Sequence, residues 1–335
     1  MSQTKISIII PIYNVEKYLS KCLDSVFSQD IPLTDYEVIC VNDCSPDLSR
    51  EIVLEYQKQY ENLILIDHKV NSKQGAARNT GLKIAKGKYV WFVDSDDYIE
   101  TNCLGRLMSV AEKDDLEVLH FNVQQFDERG IYRDYKHFPT ETDVITGYEF
   151  HKKNDYKDVT KQPWAQLYKK DLLLNNDLLF EENTFYEDAI HTLNATLLNK
   201  KFVYISDICY FYRKNPSSVV NNVNKNGYVL ANRLVQLIKI LQFIDENYPN
   251  LESVIAYCIR LLSRNIFNIC KLPKDELKIF IQNISKINIT NIKKYFPCYI
   301  YYFYTHPDIF NWLEPIVTIV FKNSYNKKPP NNKDS

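Results

Sequence analysis

Two hydrophobic patterns alternate between residues 6 and 121 of the chain. Short β-branched and aromatic runs, typical of strands buried on both faces, separate longer stretches in which apolar residues recur at helical spacing. This alternation predicts an α/β fold with a mostly parallel central sheet and helices on both faces. The predicted strands are 6–10, 36–41, 63–66, 88–93 and 118–121, and the predicted helices are 15–29, 48–60, 76–86 and 101–114.

The pattern changes twice beyond this region. Polar and aromatic residues over 124–161 predict hairpins and loops. Strand-like and helix-like segments then return: strand-like segments at 164–168, 202–205 and 208–212, and a helix from 187. Amphipathic stretches over 228–247, 251–270 and 275–287 predict helices. We therefore expect an α/β domain over 1–220, a helical region over 221–322 and a disordered Lys-, Pro- and Asn-rich tail over 323–335.

Composition narrows the class of protein. The chain has 335 residues, of which 45% are hydrophobic and 25% charged, as expected of a globular protein that is soluble. A net charge of −1 argues against a general nucleic-acid binder, which is usually basic. The 8 cysteines form no CxxC pair, which argues against a zinc site. Without a secretory signal or an apolar run of about 20 residues, we expect a cytoplasmic protein.

An apolar run, 90–93, stops at three carboxylates packed into four positions, 94–97. Asp94 and Asp96 are two positions apart, so on a strand both side chains point to the same side. Together they offer half a site for a hard divalent cation, with the remaining oxygens supplied by water or a phosphorylated ligand. A solvated turn that caps the next helix fits the same pattern, so the cluster alone leaves both interpretations open.

Polar clusters follow two other predicted strands, at 11–14 and 42–43. In open α/β sheets, ligands bind outside the carboxyl ends of the strands, so these clusters and the carboxylates at 94–96 should meet at one edge. Asp43 is either a hydrogen-bond acceptor for a nucleobase or ribose, or part of an ordinary turn.

Two basic segments are candidates for holding phosphate. Gly75 permits close backbone approach near a helix start, where anions are favoured, and Arg78 offers a bidentate fork. Arg213 follows an aromatic strand and precedes a loop that could close over a diphosphate. For Arg78, a surface position on an amphipathic helix is the commoner alternative, and Arg213 could equally be solvated surface.

A pair of acids, Glu187 and Asp188, opens a helix directly after two aromatic residues. Acids are favoured in a first helical turn for electrostatic reasons alone. The functional alternative is a general base whose pKa is raised by its aromatic surroundings. His191 lies one turn later and could orient a carboxylate or touch a metal, or be an ordinary partly buried histidine.

Taken together, these segments resemble the family 2 inverting glycosyltransferases, which have a GT-A nucleotide-sugar-binding fold. The resemblance covers about residues 5–215 in the family's order, and the ordered set is far more specific than any single motif. One departure is Gln166, where many relatives carry lysine. The matching segments are 8–14, 23–29, 41–47, 75–81, 93–97, 164–168 and 186–188.

The resemblance implies roles for individual residues. Asp188, beside Glu187, would be the catalytic base, and Asp96 with Asp94 would hold Mn²⁺ or Mg²⁺ on the diphosphate. Trp164 would stack on the sugar acceptor, with His191 nearby. The nucleotide-sugar would be bound by Pro11, Tyr13, Asn14, Asp43, Arg78, Asp94, Ser95, Asp96 and Arg213.

The expected function is therefore metal-dependent, inverting transfer of a sugar from a nucleotide-diphospho-sugar, expected to be UDP-linked, in cell-surface polysaccharide biosynthesis. The acceptor would be a hydroxyl of a glycan or of a lipid-linked acceptor. Two other classes remain open: a non-catalytic sugar-nucleotide-binding subunit and a Mg²⁺-dependent phosphotransferase. A peripheral contact with the inner face of the cell membrane is a further hypothesis. It rests on the aromatic residues Tyr295, Phe296, Tyr299, Tyr301, Tyr302, Phe303 and Trp312.

Overall fold

The computed structural model describes residues 4–127, 129–130, 132–135, 141–153, 162–214, 226–248 and 272–284. The chain divides into two compact units, Met1–Asn215 and Pro216–Ser335. The predicted helix over 251–270, the aromatic residues from 295 to 312 and the predicted tail lie outside the described residues.

The first unit contains all the strands of the described residues. They are β1 (Ile6–Ile12), β2 (Tyr36–Asn42), β3 (Leu63–Asp67), β4 (Tyr89–Phe92), β5 (Tyr98–Ile99), β6 (Val118–Phe126), β7 (Tyr132–Tyr135), β8 (Glu141–Ile145), β9 (Gln166–Lys169) and β10 (Phe202–Arg213).

Helices alternate with these strands over the first half of the unit, as predicted. Within the described residues they are α1 (Leu19–Phe27), α2 (Ser49–Gln57), α3 (Lys73–Ile84), α4 (Leu104–Lys113), α5 (Gly147–Lys153), α6 (Lys170–Asn175) and α7 (Glu187–Leu198) in the first unit, and α8 (Gly227–Asn247) and α9 (Lys274–Ile284) in the second.

The sheet has the order β3-β2-β1-β4-β9-β6-β10-β5 among the described residues, with β7 beside β6 and β8 beside β10. Strands β3, β2, β1 and β4 are parallel. Strand β9 joins the two halves by pairing antiparallel with both β4 and β6. The α/β class and the central sheet are thus confirmed. Apart from the two-residue β5, which pairs antiparallel with β10, the strands β7, β8 and β9 that have antiparallel partners lie in the later part of the chain, where the sequence pattern was less regular.

Hydrophobic side chains cover both faces of the sheet. In β1, Ile8 and Ile10 belong to a core cluster with α1 and α4, whereas Ile9 belongs to a second cluster with α3 and α7. All three side chains are fully buried. Successive side chains of a strand point to opposite faces, so the continuous apolar run of β1 follows from helices on both sides.

Two differences from the sequence pattern concern the second half of this unit. Helix α5 lies in the segment predicted as hairpins and loops. Strand β10 is one strand, although two were predicted, because its pairing with β6 continues through register shifts between Ile205 and Tyr210. A β-bulge interrupts the alternation of side chains, so the sequence pattern shows a gap where the backbone has none.

In the second unit, the described residues form two helices. Asn226 caps α8, since its side-chain oxygen accepts a hydrogen bond from the Val229 backbone N–H at 3.0 Å. The α9 side chain Glu276 accepts a hydrogen bond from the Gly227 N–H at 2.7 Å. The bounds of α8 and α9 confirm the helical character predicted for 228–247 and for the described part of 275–287, which ends at Ile284.

Candidate active site

The polar clusters predicted to converge follow the ends of neighbouring parallel strands. The Asp43 backbone N–H donates to the Ile12 carbonyl at 2.9 Å, and the Val93 N–H donates to the Ile9 carbonyl at 2.9 Å. Pro11 is buried in β1, whereas Tyr13 is 47% exposed just beyond it. Asn14 is exposed with φ 55°, and its N–H donates to Ser45 Oγ at 2.7 Å. This edge of the sheet therefore presents the exposed Tyr13 side chain beside hydrogen-bonded backbone.

Asp43 holds the start of α3. Its Oδ1 accepts a hydrogen bond from the Ser72 N–H, and its Oδ2 accepts one from the Lys73 N–H, each at 2.8 Å. His68 lies 2.8 Å from Oδ1 through Nδ1. The carboxylate is buried and is engaged within the protein, which sequence reasoning did not foresee. Its contact with a nucleobase remains a prediction.

The loop 94–97, called the carboxylate loop below, is held mainly by β10. Buried Asp97 accepts hydrogen bonds from Tyr210 Oη and the Arg213 N–H, each at 2.6 Å. Burial raises the pKa of Asp97 well above its ordinary value, and the charges of Asp96 and Asp94 raise it further. Asp97 and Tyr210 were not predicted as site residues. In the sequence, Asp97 is marked by being the third acid of the cluster, and Tyr210 is marked by its place in the aromatic run 210–212.

Arg213 supports the carboxylate loop. It is the last residue of strand β10 and does not belong to the loop that follows this strand. Its Nε donates to the Asp96 carbonyl at 2.8 Å. Its guanidinium lies over the rings of Phe126 and Tyr18, at 4.5 and 4.6 Å from their centroids. The structure thus places Arg213 behind the carboxylate loop; its contact with a diphosphate stays a prediction.

Arg78 is buried, contrary to the surface position left open by the sequence, and joins two candidate sites. Its Nη2 donates to Asp94 Oδ1 at 2.7 Å, and its Nη1 donates to Glu187 Oε1 at 2.9 Å. Burial alone would lower the pKa of Arg78, but the charges of Asp94 and Glu187 raise it above its ordinary value. The guanidinium therefore stays charged and connects the carboxylate loop to the start of α7.

Glu187 and Asp188 open α7 as predicted, after Tyr186 in a left-handed conformation with φ 67°. Glu187 is 4% exposed, and burial raises its pKa to about 7 despite the nearby Arg78 charge. Asp188 is partly exposed, and its charge contributes to raising the pKa of Glu187. Of this pair, Asp188 is the carboxylate that a substrate can reach.

The segment before α7 is fixed to α3 by residues of the motif 75–81. The Asn79 side chain donates to the Phe180 carbonyl at 2.8 Å and accepts from the Phe180 N–H at 2.9 Å. A Cβ on Gly75 would collide with the Glu181 carbonyl oxygen and lie 3.1 Å from Glu187 Cγ. Glycine is therefore required where this segment crosses α3. Asn79 lies in the sequence motif 75–81, but the motif alone does not predict these contacts.

The two candidate acceptor residues lie in the interior. Trp164 is 4% exposed and stacks on Tyr210, with centroids 4.7 Å apart and planes 8° apart. His191 is 2% exposed and stacks on Phe180 at 3.7 Å. Burial lowers the pKa of His191 to about 3, with a further contribution from Arg78, so the ring is neutral near pH 7. Their acceptor contacts stay predictions, while their observed contacts are with other rings.

The residues of the carboxylate loop fit a divalent cation whose coordination is completed by a bound ligand. Among the described residues, no group of three or more His, Cys, Asp or Glu side chains is placed to hold a metal by itself. Asp94 and Asp96 are both partly exposed, and buried Ser95 separates them. Hard cations such as Mg²⁺ are commonly held by one or two carboxylates together with substrate phosphates. Such a cation would also relieve the repulsion among the three acids.

The sequence that forms this strand-edge polar site also matches a known family. The sequence model described as glycosyl transferase family 2 matches residues 7–175. The chain belongs to this family.

Curated relatives and solved structures that are similar to the chain include the following. The chain is 38% identical over 211 residues to the poly(ribitol-phosphate) beta-glucosyltransferase of Bacillus spizizenii, covering 62% of this chain and 32% of that protein. It is 34% identical over 222 residues to the uncharacterized glycosyltransferase EpsJ of Bacillus subtilis, covering 64% and 62%. The chain therefore spans less than two thirds of either relative.

The solved structure is that of Staphylococcus aureus TarS 1–349 in complex with UDP-GlcNAc. It has a TM-score of 0.65 and 27% sequence identity, and the match covers 84% of this chain and 80% of that one. The GT-A architecture expected from the sequence is thus confirmed. Among the helices of the residues described, none is long and apolar enough to cross a membrane.

Proposed function

We propose that the chain transfers a sugar from a UDP-linked donor to a hydroxyl of a cell-surface polysaccharide or a lipid-linked acceptor, with inversion at the anomeric carbon. The observation that carries this proposal is the Arg78 bridge, which holds Asp94 and Glu187 on one guanidinium. The bridge supports the proposal because it links the carboxylate loop, which would hold a metal–diphosphate, to the start of α7, where Asp188 is partly exposed. Leaving-group binding and proton removal are thus available at one site.

The donor is proposed to bind along the strand ends. Pro11, Tyr13 and Asn14 would contact the base and the adjoining nucleoside, with Asp43 behind them. TarS, which resembles the chain over most of its length, was solved with UDP-GlcNAc, and this supports a UDP-linked donor. A polyol-phosphate or related envelope polymer is the proposed acceptor class, because a curated relative is named for poly(ribitol-phosphate).

Asp94 and Asp96 would hold Mn²⁺ or Mg²⁺ on the donor diphosphate. The cation would supply positive charge where the leaving diphosphate gains negative charge. The protein's own contribution is to place the loop, through the hydrogen bonds of Asp97 to Tyr210 and Arg213. Measuring the affinity of the protein for a UDP-sugar with and without Mn²⁺ tests this role directly.

Asp188 is the proposed base of a single displacement. It takes the proton of the acceptor hydroxyl as that oxygen bonds to the anomeric carbon from the face opposite the diphosphate. The bond from the anomeric carbon to the diphosphate oxygen breaks in the same step, and the electron pair leaves with the diphosphate. No covalent enzyme intermediate is formed, so one displacement inverts the configuration.

The test is the Asp188→Asn variant, which keeps the shape of the side chain but cannot accept the proton. We expect transfer to fall by at least about 100-fold, while UDP should raise the melting temperature of the variant and of the wild type equally. Asp171→Asn is the matched control, because Asp171 is an exposed acid in the first turn of α6. Unimpaired turnover in Asp188→Asn would remove Asp188 as the base.

The donor is identified by thermal shifts with UDP-, GDP-, dTDP- and CMP-sugars, each with and without Mn²⁺. A ligand at about 100 times its dissociation constant stabilises the fold by about 2.7 kcal/mol. We expect the largest shift from a UDP-sugar with Mn²⁺. UDP binding without transfer to any acceptor tested would favour the non-catalytic subunit instead.

A further inference from the structure

A second concave site adjoins β5, the strand that follows the carboxylate loop in the chain. It is a pocket of about 610 Å³ between α1 and β5, within the range of roughly 300–1,000 Å³ found for small-molecule sites. None of the residues predicted from the sequence to bind donor or acceptor lines it. The residues used below are Lys21, Asp24, Tyr98, Glu100, Tyr132 and Phe211, all of which line the pocket.

Aromatic rings form one wall of the pocket. Tyr98 and Phe211 face each other across the antiparallel pair of β5 and β10, with ring centroids 4.6 Å apart and planes 12° apart. Tyr132 meets Phe211 edge-on at 6.0 Å, and its hydroxyl lies 2.8 Å from that of Tyr98. Stacked rings of this kind are rigid and present apolar surface with polar tips.

Charged groups with unused hydrogen-bonding capacity lie around this wall. Lys21 Nζ lies 4.0 Å from the Tyr98 ring centroid, and no carboxylate pairs with it among the described residues. Asp24 accepts from Tyr56 Oη at 2.5 Å, and Glu100 accepts from Arg106 Nη2 at 2.6 Å, each through one oxygen. The other oxygen of each carboxylate accepts no hydrogen bond within the described part of the chain.

Two carboxylates and one ammonium group in the same pocket favour a ligand without net charge. An anion in the pocket would face two carboxylates, and a cation would face the Lys21 ammonium. A neutral polyhydroxylated molecule can donate hydroxyl protons to Asp24 and Glu100, accept from Lys21 and place its C–H groups against the exposed Tyr132 ring. We propose that this pocket binds a neutral sugar ring at a site separate from the donor site.

The pocket adjoins the support of the carboxylate loop. Tyr98 follows Asp97 directly in the chain, and Phe211 follows Tyr210, whose hydroxyl is hydrogen-bonded to Asp97 at 2.6 Å. A sugar held here would restrict the residues that fix this loop. A saccharide chain bound at this second site would also be retained between successive encounters with the donor site.

Saturation-transfer NMR on the full chain tests the proposal, with methyl β-D-glucopyranoside and methyl N-acetyl-β-D-glucosaminide as probes. UDP at saturating concentration fills the donor site throughout. We expect saturable binding of a neutral glycoside that persists with UDP, and at least several-fold weaker binding of glucose 6-phosphate and of glucosamine. Absence of saturable binding, or its loss when UDP is added, would overturn the proposal.

Two variants locate the bound sugar. Lys21→Ala removes a hydrogen-bond donor, and Glu100→Gln replaces one acceptor oxygen by an NH2 group and removes the charge, so each should weaken binding about five-fold. Lys17→Ala and Glu51→Gln are the controls, since both residues are exposed and do not line the pocket. Equal affinity in all four variants would place the sugar elsewhere. The Asp188→Asn variant should keep the binding, which separates this proposal from the proposed transfer reaction.

Discussion

At the scale of single residues, Arg78 is the side chain whose substitution should lower the stability of the fold most. It is 2% exposed and neutralises part of the charge of Asp94 and Glu187. Removing one partner of a buried ion pair leaves uncompensated charge and typically costs about 3–5 kcal/mol. We therefore expect Arg78→Gln to lower the free energy of unfolding by that amount, as measured by urea denaturation.

Arg50 supplies the control for this prediction. It also pairs with an aspartate, Asp67, at 2.9 Å, but their side chains are 43% and 39% exposed. Exposed pairs contribute about 0–1 kcal/mol, so Arg50→Gln should have little effect. If Arg78→Gln and Arg50→Gln lower the free energy of unfolding equally, burial does not explain the contribution of the Arg78 bridge to stability.

Glu187 should make stability depend on pH. Burial raises its pKa to about 7, above the ordinary value of 4.5, so the folded state holds this proton more tightly than the unfolded state. Its stabilising contribution is complete below pH 4.5 and is lost as the pH rises to about 7. One pKa unit corresponds to about 1.4 kcal/mol, so the loss is on the order of 3 kcal/mol.

The Glu187→Gln variant isolates this effect, because all other titrating groups are shared with the wild type. The difference in unfolding free energy between the two proteins should change between pH 4.5 and pH 7 and level off on either side. Urea titrations at half-unit pH intervals measure it. A difference that is constant over this range would contradict the raised pKa.

Residue types at the site were predictable, but their partners were not. The motif 75–81 pointed to Arg78, yet its two carboxylate partners are 16 and 109 positions away in sequence. Trp164 was predicted to stack on an acceptor, but nothing in its local sequence predicts its stacking on Tyr210, a residue of β10. Local pattern specifies residue type and element, whereas burial of a polar or aromatic side chain depends on which distant segments meet it.

At the scale of elements, the buried parallel strands were the most predictable part. Strand β2 spans Tyr36–Asn42, against a predicted 36–41, because a continuous apolar run has few alternatives. Helix ends were less predictable: α4 begins at Leu104 rather than at 101. The residues before it are hydrogen-bonded to α1 and its following turn instead, as Asn102 N–H donates to the Ser28 carbonyl at 3.0 Å.

The packing of α3 on β1 rests on a glycine. A Cβ at Gly81 would overlap the Cγ2 methyl of Ile9, a fully buried residue. Overpacking a core costs about 1–3 kcal/mol, more than the roughly 1 kcal/mol that alanine gains over glycine in a helix. We expect Gly81→Ala to lower the unfolding free energy, whereas Lys83→Ala on the same helix should not.

A double-mutant cycle with Ile9→Ala checks the mechanism. Ile9→Ala alone creates a cavity and should cost about 2–5 kcal/mol. It also removes the methyl group that would collide with a side chain at position 81. The double variant should therefore be more stable than the sum of the two single effects implies. Strict additivity would show that the cost at position 81 has another origin.

At the scale of the whole molecule, strand order was the hardest property to predict. The pairing of β9 with both β4 and β6 brings residues 166–169 between strands that are more than 20 positions apart in the chain. No local pattern encodes which strand enters such a gap. The fold class followed from the alternation of elements, but this topology follows from how the two core clusters close around the sheet.

Both core clusters consist of residues between Ile6 and Tyr210. The last strand, β10, supplies Phe202 and Tyr204 to one cluster and Val203 and Tyr210 to the other. A fragment comprising residues 1–214 therefore contains every member of both clusters. A fragment comprising residues 1–198 lacks β10, which pairs with β5, β6 and β8.

We therefore expect the fragment 1–214 to unfold in one cooperative thermal transition and to keep the UDP-induced rise in melting temperature. The fragment 1–198 should show neither property, because both faces of its sheet lose buried side chains and β6 loses a neighbour. Circular dichroism and calorimetry with and without UDP measure both outcomes. A fragment 1–214 without a cooperative transition would mean that the second unit is needed for the first to fold. A fragment 1–198 that still unfolded cooperatively would show that β10 is dispensable to the core.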